Sequence, residues 1–367
     1  TPNWMTHLPG SEYQGKNPDG FMTRKEIVSF FSDYIKSFNP PIRYGIEVTA
    51  IKPHELGYLV ETNQGNYVAS NVVIAVGLFQ KPSIPACAKH ISPKINQIHS
   101  SEYHNPQSLP PGAVLVVGSA QSGSQIAEEI NQDGRKVYLS VSSAGRFPRR
   151  YRGEDAATWM EKLGYFKRKV NELDSPKEKF AASAHSSGKN GGHTINLHQF
   201  YRDGITLLGH ILSGEGTRLN IAQDLHENLA MADQFEQDFV DEIDQYIQEN
   251  RLDNPPEELP HLLDGYDCPE CHELDLEQAG ITTIIWATGY KFDFSWIHIP
   301  AFDADGYPIQ WRGVSDYDGL YFISLPFLYT GISGVIAGVG ADAQYIASKI
   351  VSRSKKASKV QRCHQLM

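Results

Sequence analysis

Cysteine is scarce in this chain. Its 367 residues include only four cysteines, Cys87, Cys268, Cys271 and Cys363. Four are too few for a disulfide framework at this length, which predicts reduced thiols and a cytoplasmic location. No apolar run reaches transmembrane length and no targeting segment is visible, so we expect no membrane partner.

Basic residues are also fewer than acidic ones. Lys and Arg total 33 against 43 Asp and Glu, which gives a net charge of −10. A nucleic-acid-binding surface needs an excess of basic residues, so this balance argues against nucleic acid as a partner. With 40% hydrophobic and 21% charged residues, the composition is that of a globular protein. The length predicts two domains, or one domain interrupted by another.

The strongest motif lies between a predicted buried strand over 113–117 and a predicted helix that runs to Ile130. It consists of Gly118, Ser119, Ala120, Gln121, Ser122 and Gly123. Small residues in such a turn let the backbone approach a pyrophosphate, which the helix N-terminus attracts. With a further strand predicted over 136–141, the unit has βαβ character and indicates dinucleotide binding. Ala120 replaces the usual middle glycine, and an ordinary tight turn is the alternative.

The residues after this unit favour NADPH over NADH. An NAD site usually places an acidic residue about twenty positions after the glycines, but no carboxylate stands between Asp133 and Glu154. Four arginines occur instead within the seven residues 146–152. Arginine pairs bidentately with phosphate, so Arg146 is the nearest candidate for a 2′-phosphate. A solvated basic turn is the alternative.

Two further turns each follow a predicted buried strand, over 72–76 and over 281–287. They contain Ala75 and Gly77 in the first case and Ala287, Thr288 and Gly289 in the second. Because these turns flank the dinucleotide unit, they predict one nucleotide-binding domain inserted within another. Elsewhere, Thr23 and Glu26 form a capping box that predicts a helix up to Phe38. A Gly/Ser/His-rich run over 183–193 predicts a loop.

Taken together, these segments resemble the bacterial flavin-containing monooxygenase-like proteins, also labelled flavoproteins involved in potassium transport, among the class B flavoprotein monooxygenases. The resemblance runs nearly end to end and is carried by residues 1–4, 18–22, 99–103, 118–129, 145–153, 192–197, 286–290 and 338–343. It implies an α/β fold with two Rossmann-like dinucleotide-binding domains, the NADPH domain inserted in the FAD domain. Residues 1–108 would form part of the FAD domain, 109–279 the NADPH domain with an irregular insert, and 280–367 the return to the FAD domain with a C-terminal helix.

The resemblance also implies a reaction. NADPH would reduce FAD, and O₂ would then give a C4a-(hydro)peroxyflavin that oxygenates a small nitrogen- or sulfur-containing nucleophile or a carbonyl substrate. His99 and Tyr103 fit the end of the family's identifying motif, whereas Pro93 and Ile95 stand where the family has Phe and Gly. Tyr103, where Baeyer–Villiger relatives carry Trp, favours a nitrogen or sulfur substrate. Alternatively, His99 and Tyr103 are packing residues. A homodimer fits the family.

Site residues follow from the same resemblance. Asn3 would lie beside the flavin and donate a hydrogen bond during oxygenation, although a turn Asn is the alternative. Further cofactor contacts are implied for Trp4, Val48, Asp342 and the Ala75–Gly77 turn on the flavin side, and for Ser143, Arg146 and Arg149 on the NADPH side. We expect no metal site.

One part of the family pattern is missing before Thr23, where no strand and Gly-x-Gly-x-x-Gly turn occurs. The resemblance therefore implies that the first flavin-binding βαβ unit is lacking. A non-catalytic nucleotide-binding remnant, or a fragment, is the alternative function. Cys268 and Cys271 in a Cys-x-x-Cys-His run also fit c-type haem attachment, a zinc half-site or a redox pair, so a flavin-linked disulfide reductase is a second alternative.

Overall fold

The computed structural model describes the backbone of residues 1–181 and 184–364, and the side chains as far as residue 355. The chain divides into two compact units. Unit 1 comprises Thr1–Lys81, Gly164–Phe180 and Tyr290–Met367, and unit 2 comprises Pro82–Leu163 and Ala181–Gly289. Along the sequence, unit 2 is thus inserted in unit 1, and the fold is the predicted α/β fold with an inserted domain.

The α-helices are α1 Arg24–Phe38, α2 Gln121–Gln132, α3 Ala156–Lys162, α4 Leu197–Arg202, α5 Leu225–Asn250 and α6 Ile336–His364. Short 3-10 turns span Asn3–Met5, Ala86–His90, Ser100–Glu102, Pro106–Ser108, Tyr165–Lys167, Val170–Glu172, Pro176–Phe180, Lys189–Gly191 and Asp264–Asp267. The strands are β1 His7–Leu8, β2 Ser11–Glu12, β3 Val48–His54, β4 Gly57–Thr62, β5 Gly65–Ala69, β6 Val72–Ile74, β7 Lys81–Pro82, β8 Asn96–His99, β9 Ala113–Val117, β10 Val137–Ser140, β11 Arg150–Tyr151, β12 Glu154–Asp155, β13 Thr206–Leu208, β14 Ile211–Glu215, β15 Arg218–Ile221, β16 Glu273–Asp275, β17 Ile281–Trp286, β18 Tyr290–Lys291, β19 Gln310–Trp311, β20 Val314–Ser315 and β21 Leu320–Phe322.

Unit 2 is built on a parallel five-stranded sheet in the order β13-β10-β9-β17-β8. Every residue of β9 is buried, as predicted for a strand covered on both faces. Its side chains alternate between two cores: Val114 and Val116 pack in one cluster with Ile126 and Ile130 of α2, while Leu115 packs in the other. The first strand, turn and helix of the predicted βαβ unit are therefore confirmed.

Unit 1 contains an antiparallel meander formed by β3, β4 and β5, and a sheet in the order β19-β20-β21-β6. Helix α1 begins with the predicted capping box, in which the Thr23 N–H donates to Glu26 Oε2 over 2.7 Å. The expectation that 72–76 forms a strand buried on both faces is wrong, since Val73 is 41% exposed. Strand β6 is three residues long, and among the strands described it pairs with β21 only.

The bounds of the compact units differ from the predicted domain boundaries. Strand β17, expected in the returning FAD segment from residue 280, pairs with β9, so unit 2 extends to Gly289. Strand β8 pairs with β17, which places residues 82–108 in unit 2 as well. Residues 164–180, expected in the insert, belong to unit 1. Strand pairing decides membership of a unit, and sequence spacing does not show which strands pair.

Within the part of the chain that the structure describes, no helix combines the length and the apolarity needed to cross a membrane.

Candidate nucleotide-binding site

The turn between β9 and α2 is too crowded for side chains at its glycines. Gly118 has φ +102°, and a Cβ on it would lie 2.6 Å from the Ala287 carbonyl oxygen. A Cβ on Gly123 would lie 1.7 Å from the Gly118 carbonyl oxygen. Strand, turn and helix therefore approach each other at distances that only glycine allows, as in dinucleotide-binding units.

The first backbone N–H groups of α2 can donate hydrogen bonds to acceptor atoms of a ligand. Its N-cap residue, Ala120, has no side-chain oxygen to accept from the first backbone N–H groups, and Ser122 in the first turn is exposed. Free N–H groups and the helix dipole at such an end favour an anion. This geometry fits the pyrophosphate of a dinucleotide.

Ser119 has a structural role in this turn. It is completely buried, and its Oγ accepts from the Ser142 N–H over 2.8 Å. The Ser124 hydroxyl donates to the Ser119 carbonyl oxygen over 2.6 Å. These bonds connect the turn to the end of β10, where Ser143 is exposed.

The predicted turn Ala287 to Gly289 lies against the Gly118–Gly123 turn within unit 2. A Cβ on Gly123 would be 3.1 Å from the Ala287 Cβ, and the Thr288 hydroxyl donates to the Ser83 carbonyl oxygen. Gly289 has φ +75°. The structure thus brings these two turns together, and both belong to the same unit rather than to separate nucleotide domains.

His99 and Tyr103 are bonded to neighbouring residues of unit 2. The completely buried His99 accepts at Nδ1 from the Ser101 N–H, so Nε2 carries the proton and donates to the Gly289 carbonyl oxygen over 3.0 Å. Tyr103 donates to Glu129 Oε2 over 3.0 Å, and burial together with this carboxylate raises the pKa of Tyr103. These contacts fit the packing interpretation.

Arg146 differs from the expectation of a side chain turned toward a 2′-phosphate. It is 4% exposed, and its Nη2 donates to Asp233 Oδ1 over 2.8 Å and to Glu236 Oε2 over 2.6 Å, both on α5. Arg146 Nε and Nη1 have no partner among the described residues. The cavity of about 640 Å³ beside Arg146 is also acidic and would repel a phosphate, because it is lined by Asp233, Glu236, Asp241, Asp244, Glu257 and Glu258.

The half-buried Asp233 is the centre of this network. It accepts from Arg146, from His198 Nε2 over 3.1 Å and from the Tyr266 hydroxyl over 2.8 Å. Burial alone would raise its pKa, but the hydrogen bonds from His198, Arg146 and Tyr266 hold the pKa of Asp233 at about 2. Burial and this carboxylate in turn raise the pKa of Tyr266 to about 12. Asp233 lies 87 residues from Arg146 in the chain, so no local sequence signal indicates the pair.

Arg149 is likewise held by the chain itself. Its Nε donates to Asp155 Oδ2 over 2.8 Å, its Nη2 donates to Asp155 Oδ1, and its Nη1 donates to Ser186 Oγ over 3.1 Å. Arg149 and Asp155 are each 5% exposed. Sequence reasoning missed both partners. The Ser186 contact brings the predicted loop to this site, and Ser183 of that loop lies outside the described residues.

In unit 1, two predicted flavin contacts carry buried acceptors without a partner. Asn3 is 4% exposed; its Nδ2 donates to the Asn17 carbonyl oxygen over 2.9 Å, and its Oδ1 has no partner in the described part. Asp342 is 2% exposed, and its Oδ2 has no partner among the side chains that the structure describes. Burial raises the pKa of Asp342, although Ser333 and Arg312 act in the opposite direction. A ligand with N–H or O–H donors, as the flavin and ribityl groups of FAD have, would satisfy these acceptors.

The other predicted flavin contacts of unit 1 are only partly covered. Trp4 is half-buried and Ala75 is exposed, while Val48 at the start of β3 is 38% exposed. Gly77 has φ +69°, and a Cβ there would meet nothing within 4 Å. Gly77 is therefore required by the backbone conformation and not by a close approach.

Cys268 and Cys271 pack in different hydrophobic cores. Cys268 belongs to the cluster on one face of the unit 2 sheet, and Cys271 packs against the cluster on the other face. Burial raises the pKa of Cys268, and its Sγ donates to the Leu207 carbonyl oxygen over 3.4 Å. A raised pKa disfavours the thiolate that redox exchange needs. Among the described residues, no three His, Cys, Asp or Glu side chains form a metal site.

Comparison with known proteins gives consistent results. Residues 10–172 match the pyridine nucleotide-disulphide oxidoreductase family. A CzcO-like oxidoreductase of Geobacillus kaustophilus is 35% identical over 354 residues, which cover 96% of this chain and 84% of the relative. The CzcO oxidoreductase of Bacillus subtilis is 32% identical over 95% of this chain and 85% of its own length.

Solved structures share the fold at low identity. A flavin-containing monooxygenase from Stenotrophomonas maltophilia superimposes with a TM-score of 0.59 at 13% identity, over 96% of this chain and 83% of that one. The bacillithiol disulfide reductase Bdr of Bacillus cereus gives a TM-score of 0.55 at 14% identity, over 95% and 84% of the two chains. A monooxygenase and a disulfide reductase therefore share this fold, and the fold alone does not decide between the two activities.

Proposed function

Since this chain belongs to the family of CzcO-like oxidoreductases, a flavin monooxygenase-like family that uses FAD and NADPH, we propose that it uses NADPH and O₂ to oxygenate a small nitrogen- or sulfur-containing nucleophile. The observation that carries this proposal is the strand, turn and helix at Gly118–Gly123, with its crowded glycines and its uncapped α2 N-terminus. That geometry suits the pyrophosphate of NADPH.

On the NADPH side, we propose that Gly118, Ala120, Ser122 and Gly123 hold the pyrophosphate through backbone N–H groups. Ser143, exposed after β10, would face the ribose. Ala287, Thr288 and Gly289 support the turn from the adjacent strand. Arg146 and Arg149 are positioned by carboxylates of the chain, so their contribution would be to the shape of the site.

On the flavin side, FAD supplies the O₂ chemistry when it is bound. We propose that the unpartnered oxygens of Asn3 and Asp342 accept hydrogen bonds from it. The half-buried or exposed residues Trp4, Val48 and Ala75 would provide apolar surface, and the open space at Gly77 would leave room for the flavin. With Asn3 Nδ2 already donating to Asn17, Asn3 would act mainly as an acceptor.

The visible absorption spectrum tests this function. The purified chain is mixed with excess FAD, freed of unbound flavin, and titrated with NADPH in the absence of O₂. Retained flavin that bleaches, and that reoxidises in air faster with an amine or thioether present, would support the proposal. A chain that retains no flavin would be the non-catalytic remnant, and reoxidation insensitive to every nucleophile tried would exclude oxygenation.

A further inference from the structure

Residues 184–193, here called the α2 hairpin, lie along one face of α2. Ser187 and His193 exchange backbone hydrogen bonds at its base, over 3.1 and 3.2 Å. His193 Nε2 lies 2.7 Å from Glu128 Oε1, and Lys189 Nζ donates to Gln132 Oε1 over 2.7 Å. The α2 hairpin is therefore fixed to the middle and the C-terminal end of the helix.

At the N-terminal end of α2, the first helical residue holds the α2 hairpin. Gln121 Nε2 donates to the Ser186 carbonyl oxygen over 2.8 Å, and the Ser186 N–H donates to Gln121 Oε1 over 3.1 Å. One amide side chain thus satisfies both backbone groups of Ser186. Positions 121, 128 and 132 are seven and four residues apart, so all three contacts lie on one face of the helix.

The other side of the α2 hairpin is joined to the residues that follow β10. The His185 N–H donates to the Gly145 carbonyl oxygen over 3.1 Å, and Ser186 Oγ accepts from Arg149 over 3.1 Å. His185 is completely buried. Residues 185 and 186 therefore connect the two parts of the candidate NADPH site, namely the α2 N-terminus and the run 142–146.

We propose that the α2 hairpin forms part of the NADPH site, beside the α2 N-terminus and the run 142–146. Gln121 is the positioning residue that holds the α2 hairpin against the dinucleotide turn. The inference rests on the proposed function. Gln121 stands between the glycines of the motif, at a position where the motif itself prescribes no residue type. Its side chain points to Ser186, so it would act on nucleotide binding through the α2 hairpin.

The test is Gln121→Leu, which keeps the size of the side chain and removes both hydrogen bonds to Ser186. We expect the Kd of NADPH to rise about tenfold, which corresponds to 1.4 kcal/mol, with NADH weakened equally and kcat at saturating NADPH within about twofold of wild type. Trypsin should cleave after Lys189 about fivefold faster in the nucleotide-free protein. Gln125→Leu is the matched control, since Gln125 is an exposed glutamine on the same helix, and it should change none of these values.

Each result is decisive. A Gln121→Leu variant that binds NADPH as tightly as wild type overturns the inference and leaves the proposed function standing. If Gln121→Leu lowers kcat by as large a factor as it raises the Kd, or if it also lowers the melting temperature, Gln121 has a general structural role instead. Wild-type protein that binds no NADPH overturns the proposed function and this inference with it, and the tryptic cleavage rates still report whether Gln121 holds the α2 hairpin.

Discussion

Helices α1 and α2 have similar sequence signatures and very different surroundings. Both are amphipathic, yet α1 in unit 1 has no buried residue, whereas α2 in unit 2 buries Gly123, Ser124, Ile126, Ala127 and Ile130. An amphipathic pattern defines which face of a helix is apolar. Only a packed neighbour removes that face from water, and a complete parallel sheet provides one in unit 2.

Two aspartates, one in each unit, show a second contrast. Asp233 in unit 2 accepts hydrogen bonds from His198, Arg146 and Tyr266, while Asp342 in unit 1 has an oxygen with no partner among the described residues. Since native proteins leave few buried polar groups unpaired, the comparison indicates that the Asp233 carboxylate is satisfied by residues of unit 2. Unit 1 keeps buried acceptors that a ligand could use.

The largest expected difference concerns matched isoleucines. Ile130→Ala in α2 removes a completely buried side chain and should cost about 3 kcal/mol of unfolding free energy, because a cavity remains in the core. Ile27→Ala in α1, where the side chain is only half-buried, should cost under about 1 kcal/mol. Urea unfolding followed by circular dichroism measures both, and equal costs would show that the apolar face of α1 is covered in solution.

A smaller effect on stability, with opposite pH dependence in the two units, is expected for Asp233 and Asp342. The pKa of Asp233 is lowered from 3.8 to about 2, so its stabilisation is complete above pH 3.8 and is lost as the pH falls through about 2. Asp233→Asn should therefore cost about 2 kcal/mol at pH 7, and its deficit should shrink at acidic pH.

Asp342 has a raised pKa, so the stability linked to its protonation is present at low pH and is lost as the pH rises through the folded-state pKa. Without FAD, Asp342→Asn should therefore be at least as stable as wild type at pH 7, and any gain should disappear at acidic pH. Melting temperatures of both variants between pH 2 and 7 check these signs. A destabilised Asp342→Asn protein at pH 7 would mean that the carboxylate has a partner in solution.

The smallest effect is expected at the cysteines of unit 2. Because Cys268 and Cys271 pack in cores on opposite faces of the sheet, Cys268→Ala combined with Cys271→Ser should leave the rate of NADPH oxidation within about twofold of wild type. The assay follows NADPH absorbance in air with FAD present. A loss of tenfold or more would instead support the disulfide reductase alternative and would make unit 2 a redox partner of the flavin.

How far the site was predictable depends on the distance in sequence between its parts. The turn Gly118–Gly123 was predictable, because strand, glycines and helix are contiguous and the crowding at Gly123 is local. The role of Arg146 was not, since the carboxylates that hold it are on α5. Strand β17 was predictable as an element, but its partner β9 lies about 170 residues earlier and decides to which unit it belongs.

By itself, the sequence determined the local features of this protein: the capping box at Thr23, the buried run of β9 and the glycines of the dinucleotide turn. Each depends on residues a few positions apart, which fix backbone dihedrals, caps and side-chain periodicity. Only the tertiary structure decided that α1 has no fully buried residue, that Arg146 faces Asp233, and that Ser186 contacts Gln121. Burial and ion pairing depend on which distant segments come into contact, and that is a property of the whole fold.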